Sequence, residues 1–100
     1  MSDFKFEDSK PLTDAERRHL CLMLSRALVE MRLCCWEGDA AKAGDIADAF
    51  HNVPIHLFGE TFSFNYFRLC LESYRHKHPG PGFDYLSMLD KFLEEEAERG

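Results

Sequence analysis

The sequence predicts an all-α fold, either a four-helix bundle or paired antiparallel helical hairpins, with a short extended N-terminal arm. Apolar residues recur every three or four positions in four separate stretches, which is the period of an amphipathic helix. Capping residues precede these stretches, and Gly or Pro follows most of them, as at the ends of helices. The chain has 100 residues, a length that supplies one core but not two. We therefore expect a single helical domain over residues 13–97.

Residues 1–12 are predicted to form the arm. Phe4 and Phe6 alternate with charged neighbours, the pattern of an extended segment that packs its rings onto a surface. Pro11 ends the arm, because the residue before a proline avoids the helical conformation. The pattern leaves open whether the two rings pack on the same chain or on a second subunit.

The first helix is predicted over residues 13–36, and its start has a clear signal. Thr13 and Glu16 have the spacing of a capping box, in which each side chain accepts a hydrogen bond from the other residue's backbone N–H. The stripe expected to face the core contains Leu20, Leu24, Ala27, Leu28, Met31 and Cys35. A second apolar stripe on roughly the opposite side contains Leu22, Val29, Leu33 and Trp36. A helix that is apolar on two sides must be covered on both, by its own domain or by another chain.

The other three helices are predicted over residues 40–51, 63–77 and 84–96. Gly38 suits the left-handed end of the first helix, and Asp39 can cap the second helix immediately afterwards. The first two helices should therefore form an antiparallel hairpin. The last two are separated by a run that cannot continue a helix, His78-Pro79-Gly80-Pro81-Gly82.

The connector between the second and third helices is densely apolar. Its apolar residues are Val53, Ile55, Leu57, Phe58, Phe62 and Phe64. One interpretation is that the connector folds over the end of the core, and this is favoured because apolar side chains are most often buried in their own domain. The other is that it presents an apolar patch to a partner, with Ile55, Leu57 and Phe58 in the contact.

The charge of the chain restricts the kinds of partner that it can bind. Eighteen acidic and 12 basic residues give a formal charge of −6, whereas nucleic-acid-binding proteins usually have a basic excess that neutralises phosphates. No apolar run approaches the roughly 20 residues that cross a bilayer, and the N-terminus lacks the apolar stretch of a signal peptide. We expect a cytoplasmic protein that binds neither nucleic acid nor membranes.

Residues that could ligate a metal are present, but not in a known pattern. The four cysteines contain no C-x-x-C pair and are expected to be reduced thiols in the core. The best candidates for a metal or small-ligand site are His51, His56 and Cys70 with neighbouring acids. No serine lies in a nucleophile-elbow context, and no glycine-rich phosphate loop is present. We expect no cofactor and no enzymatic activity.

The sequence thus favours a small non-enzymatic protein–protein interaction module. The expected partner is a second copy of the chain or another protein, and a basic protein would suit the charge of −6. The residues expected at the interface are Leu22, Val29, Leu33, Trp36, Ile55, Leu57 and Phe58. The alternative is a metal- or small-ligand-binding helical domain that uses His51 and His56 with nearby acids or thiols.

Overall fold

A computed structural model describes residues 9–56, 61–80 and 83–99 of the chain. Within these ranges the fold is helical, and the predicted all-α class is confirmed. The helices are α1 (Asp14–Trp36), α2 (Ala40–Phe50), α3 (Asn52–His56), α4 (Phe64–Lys77) and α5 (Tyr85–Arg99). The four long helices agree with the predicted ranges to within three residues at each end, whereas α3 was not predicted as a separate helix.

The start of α1 is the capping box that the sequence predicts. The backbone N–H of Glu16 donates to Thr13 Oγ1 at 3.1 Å, and the backbone N–H of Thr13 donates to Glu16 Oε1 at 2.9 Å. Lys10 adds its ammonium group, which lies 2.8 Å and 2.7 Å from the two oxygens of the same carboxylate. Glu16 is therefore buried but fully paired, and it joins the end of the arm to the first turn of α1.

The turn between α1 and α2 also follows the sequence signals. Gly38 has a φ of +81°, a left-handed conformation that glycine adopts without a steric penalty. Asp39 then caps α2 by accepting a hydrogen bond from the backbone N–H of Lys42 at 3.1 Å. The two helices consequently form the predicted antiparallel hairpin.

The core lies between α1, α2, α4 and α5. The α2 helix packs against both α1 and α4, and α5 packs against α4 and α1. Phe50 of α2 lies at the centre, with its ring centroid 5.5 Å from that of Phe67 and 5.0 Å from that of Tyr85, both edge-on. Edge-to-face packing of this kind is favoured for aromatic rings. These contacts are those of a helical bundle with an aromatic centre.

The described part of the connector folds over the core. Val53 in α3 and Phe62 before α4 are both buried. Phe62 also exchanges two backbone hydrogen bonds with Lys10, at 3.1 Å and 2.8 Å, so the end of the arm is fixed beside the connector. The α3 helix tolerates Pro54 because a proline in the first turn of a helix displaces no intrahelical hydrogen bond.

The predicted core stripe of α1 is wrong in part. Leu28 is 55% exposed and Cys35 is exposed, whereas Met23 and Cys34 are buried instead. The buried face is therefore rotated by roughly 60° from the prediction, since each residue turns the helix by about 100°. The physical reason is that α2 and α5 pack against the side of α1 that contains Met23 and Cys34. The expectation that the cysteines are core thiols holds only for Cys34.

Candidate functional site

The face of α1 that points away from the core is the main candidate for a functional surface. It comprises the exposed residues of α1 from Arg18 onward, and we call it the outer face of α1. Five large apolar side chains on it expose between 46% and 69% of their area: Leu22, Leu28, Val29, Leu33 and Trp36. From Leu22 to Trp36 this strip is about 21 Å long at 1.5 Å per residue. Contiguous apolar surface of this kind commonly marks an interaction site.

The charge of the outer face differs from that of the chain. Its charged residues are Arg18, Arg26 and Arg32, and it contains no carboxylate. The chain as a whole has a net charge of −6. The exposed acids nearest along the chain are Glu37 and Asp39, which follow the end of α1. The outer face is consequently apolar and cationic, with exposed acids beyond both ends, Asp14 before it and Glu37 and Asp39 after it.

Two of the arginines are held by aromatic rings. The guanidinium carbon of Arg32 lies 4.8 Å from the centroid of the Trp36 ring, and that of Arg26 lies 4.6 Å from the centroid of the Phe83 ring. Cation–π contacts at exposed sites contribute about 0.5–1 kcal/mol. The first contact lies within α1, whereas the second joins the edge of the outer face to Phe83, which lies just before α5.

The structure describes the side chains of four of the seven predicted interface residues. Leu22, Val29, Leu33 and Trp36 lie together on the outer face, and all four are exposed. Leu57 and Phe58, and the side chain of Ile55, lie outside the described residues. Other connector residues, Val53, Phe62 and Phe64, are buried in the core and offer no surface to a partner.

The predicted metal ligands are not brought together in the part of the chain that the structure describes. His51 is exposed, and its Nδ1 lies 2.6 Å from the backbone oxygen of Asp48. Cys70 lies on α4, and the side chain of His56 is outside the described residues. No group of three or more His, Cys, Asp or Glu residues within the described ranges could hold a metal ion.

A cavity of about 260 Å³ lies where α1, α2, α4 and α5 meet the loop after α4. Its walls include the rings of Tyr74, Phe83 and Tyr85, with Glu30 and Lys42 at its polar side. The Tyr85 hydroxyl donates a hydrogen bond to Glu30 Oε1. The volume is slightly below the usual range for small-molecule sites, which is about 300–1,000 Å³.

The two tyrosine hydroxyls at the cavity remain protonated over a wide pH range. Burial, together with the charge of Glu30, raises the pKa of Tyr74 to about 12. Burial and the hydrogen bond to Glu30 raise the pKa of Tyr85 further in the same direction. Both groups are hydrogen-bond donors at neutral pH. Sequence reasoning missed this cluster, because Glu30 and Tyr85 are 55 positions apart and neither belongs to a local motif.

The four cysteines form no disulfide and lie in different environments. Cys21 and Cys35 are exposed on the outer face of α1, Cys70 is half-buried, and Cys34 is buried. Burial raises the pKa of the Cys34 thiol, which lowers its reactivity because the thiolate is the nucleophile. Only the two exposed thiols of α1 are placed to react with a reagent at the outer face.

Comparison with known proteins finds no matching family model, no similar curated protein and no similar solved structure. Within the described ranges, no helix combines the length and the apolar character needed to cross a membrane.

Proposed function

We propose that this chain is a small non-enzymatic protein–protein interaction module that forms a homodimer through the outer face of α1. The observation that carries the proposal is the group of large apolar side chains on that face, which remain between 46% and 69% exposed. The opposite face of the same helix is fully engaged in the core. Residues that neither stabilise the core nor serve solubility are best explained by a contact with another molecule.

The expected affinity of the dimer follows from the apolar side chains that the contact would bury. Full burial of a large apolar side chain contributes about 1.5–3 kcal/mol, and roughly half of that remains to be gained at each half-exposed side chain. A symmetric contact uses the face of both copies, which gives on the order of 10 kcal/mol before the costs of association. Those costs are about 4–15 kcal/mol. The net gain is then at most about 6 kcal/mol, so we expect a weak dimer with a Kd of tens of micromolar or more.

The charge of the outer face argues against a basic protein as the partner at this face. Arg18, Arg26 and Arg32 would repel a basic partner, because like charges across an interface are unfavourable. A second copy presents the same three arginines, but it also presents Glu37 and Asp39, which are exposed just beyond the end of the same face. Recognition of a basic protein through the net charge of −6 would have to use other surfaces of the molecule.

The test is the oligomeric state of Val29→Glu and Leu33→Glu variants across the micromolar range, measured by sedimentation velocity. Both should be folded monomers, while the wild type dimerises with increasing concentration. Leu69→Glu is the matched control, because Leu69 is 45% exposed but lies on α4, away from the outer face. Circular dichroism verifies folding. A wild type that is monomeric throughout, or glutamate variants that dimerise like the wild type, would contradict the proposal.

A second candidate function, binding of a small ligand, is favoured only by the cavity of about 260 Å³ beside Glu30 and Tyr85. This site differs from the histidine site that the sequence suggests, which would use His51 and His56. Native mass spectrometry of protein purified without chelator distinguishes them. A stoichiometric added mass that is lost in Glu30→Gln would show that the ligand binds in the cavity. An added mass that is lost only when both histidines are replaced by alanine would show that it binds at the histidines.

A further inference from the structure

Six of the exposed residues of α1 lie in two parallel rows. Their members are Cys21, Leu28 and Cys35 in one row, and Leu22, Val29 and Trp36 in the other. Successive members of each row are seven residues apart, which is close to two helical turns, so each row runs almost along the helix axis. Both rows have an aliphatic residue at the middle and equal steps to either end.

This arrangement is symmetric about a point between Leu28 and Val29. In a two-fold symmetric contact, if residue i lies opposite residue j, then j lies opposite i. When two α1 helices run antiparallel about that point, Leu28 lies opposite Val29 of the second copy. The large Trp36 ring then lies opposite the small Cys21 side chain, and the reverse contact is made at the other end. Large and small side chains are thereby matched at both ends of the strip, with two aliphatic side chains in contact at its centre.

The charges favour the same orientation. Arg18 is exposed and has no ion-pair partner among the described residues, and Asp39 is exposed just beyond the other end of α1. Both are equally far along the chain from the point between Leu28 and Val29. The antiparallel orientation therefore places Arg18 of each copy near the C-terminal end of the other α1, where Glu37 and Asp39 follow, whereas a parallel orientation places Arg18 beside Arg18 and repels. Antiparallel helices also align their dipoles favourably.

The third feature is the position of Arg32 near the middle of the face. In the antiparallel orientation it lies opposite Ser25 of the second copy, whose small exposed side chain leaves room for the guanidinium that stacks on Trp36. A parallel orientation would place the two Arg32 guanidinium groups against each other. A buried like-charge contact of that kind is costly because neither charge is compensated.

We propose that the second copy binds with its α1 helix antiparallel to the first, about a two-fold axis between Leu28 and Val29. This inference rests on the homodimer proposed above and adds the orientation and the residue pairing. It places Cys21 of each copy next to Cys35 of the other. In a parallel dimer, Cys21 would instead lie next to Cys21, and Cys35 next to Cys35.

The exposed thiols make the orientation measurable with a short bismaleimide cross-linker. Each thiol adds across a maleimide double bond, so its sulfur forms a C–S bond, its proton passes to the neighbouring carbon, and no group leaves. The experiment uses the full chain with Cys70→Ser, which removes the half-buried thiol on α4, and Cys34 is protected by burial. The products are covalent dimers, counted on a denaturing gel and mapped by peptide mass spectrometry.

Two single variants distinguish the orientations. In the antiparallel dimer, Cys21→Ser and Cys35→Ser each abolish the covalent dimer, because every cross-link needs one of each thiol. Mixing the two variants restores it, since a mixed dimer again contains one Cys21 beside one Cys35. In a parallel dimer each variant alone still cross-links through its remaining thiol, and that result would overturn the inference.

The orientation and the proposed function fail in different ways. Sedimentation of the same variants without cross-linker reports whether dimers form at all, and dimers that cross-link only between like thiols leave the function intact while refuting the orientation. A wild type that is monomeric at every concentration refutes both. Flotation with vesicles of phosphatidylglycerol and phosphatidylcholine tests whether anionic lipid, rather than a second copy, binds the outer face. A monomer that floats with these vesicles would assign the face to anionic lipid and overturn the inference.

Discussion

Arg68 on α4 and Asp90 on α5 form a two-point ion pair, with Nε 2.8 Å from Oδ1 and Nη2 2.8 Å from Oδ2. The planar guanidinium matches the carboxylate in this geometry, which an ammonium group cannot reproduce. The hydrogen bond to Arg68 lowers the pKa of Asp90. The pair connects the two helices of the second hairpin at a distance of 22 positions in the sequence.

We expect Asp90→Asn to lower the free energy of unfolding by about 0.5–1 kcal/mol, because both side chains are more than one-third exposed and solvent screens the pair. Urea denaturation at neutral pH measures the change. Asp48→Asn is the control, since Asp48 is an exposed carboxylate with no ion-pair partner in the described ranges. Equal effects of the two substitutions would show that the contact with Arg68 contributes nothing beyond the loss of one negative charge.

The second prediction concerns the buried carboxylate of Glu16. Burial acts to raise its pKa, but the hydrogen bonds from Lys10 and Thr13 outweigh burial and lower it. The charged form is therefore favoured in the folded state. Its contribution to stability is complete above the unfolded pKa of about 4.3 and is lost as the pH falls through the lower folded pKa.

Glu16→Ala should lower the free energy of unfolding at pH 7 by about 1–2 kcal/mol, through loss of the cap and of the contact with Lys10. Glu16→Gln, which can still accept from the Thr13 backbone, should cost less. Thermal unfolding followed by circular dichroism between pH 7 and pH 3 provides the measurement. Both variants should lose less stability than the wild type below about pH 4.3, and an unchanged acid profile would refute the role of this carboxylate.

The third prediction concerns His19, whose ring stacks on Phe92 with centroids 4.1 Å apart and planes 7° from parallel. Its Nε2 is buried without a hydrogen-bond partner among the described residues. Burial lowers the pKa of His19, although a hydrogen bond with the Met88 backbone and the charge of Glu95 act in the opposite direction. The folded state consequently favours the neutral ring.

The unfolded chain takes up the proton more readily, so the free energy of unfolding should fall as the pH drops below about 6.5 towards the folded pKa. His19→Phe retains the stacked ring and removes the unpaired nitrogen. It should therefore abolish this part of the loss of stability at acid pH. Urea denaturation at pH 7.5 and about pH 5.5 measures the difference. His76→Phe, at an exposed position, should leave the loss unchanged, and a similar effect of both variants would exclude His19 as its source.

The fourth prediction uses Trp36, the single tryptophan of the chain. Its side chain is 69% exposed in the isolated chain, and the proposed dimer covers it. Tryptophan emission should therefore move to shorter wavelength as the protein concentration rises through the micromolar range. Leu33→Glu should show the long-wavelength emission at every concentration. A wild-type spectrum that does not depend on concentration would contradict burial of Trp36 by self-association.

The sequence predicted those parts of the fold that depend on local signals. The capping pair Thr13 and Glu16 set the start of α1, and Gly38 followed by Asp39 set the turn to α2, because each satisfies backbone groups a few residues away. The same signals could not determine which side of α1 faces the core. That choice depends on how α2 and α5 pack, and Leu28 and Cys35 were wrongly placed inside as a result.

The candidate site was predictable to a similar degree. The stripe of Leu22, Val29, Leu33 and Trp36 is visible in the sequence because helical periodicity groups these residues before any packing is known. The hydrogen bond between Glu30 and Tyr85 was not predictable, since it joins residues on different helices. The three arginines of the outer face are visible in the sequence. Only their observed exposure shows that they share one cationic face while the rest of the chain is acidic.

Cys34 and Cys35 are adjacent in the chain, yet the first is 3% exposed and the second lies open to solvent. In the isolated chain, modification of Cys35 by a thiol reagent needs no change in structure, whereas modification of Cys34 requires the C-terminal part of α1 to separate from α2. The ratio of the Cys34 labelling rate to the Cys35 labelling rate therefore measures how often that separation occurs in the native protein. One peptide thus contains both the probe of local opening and its internal reference.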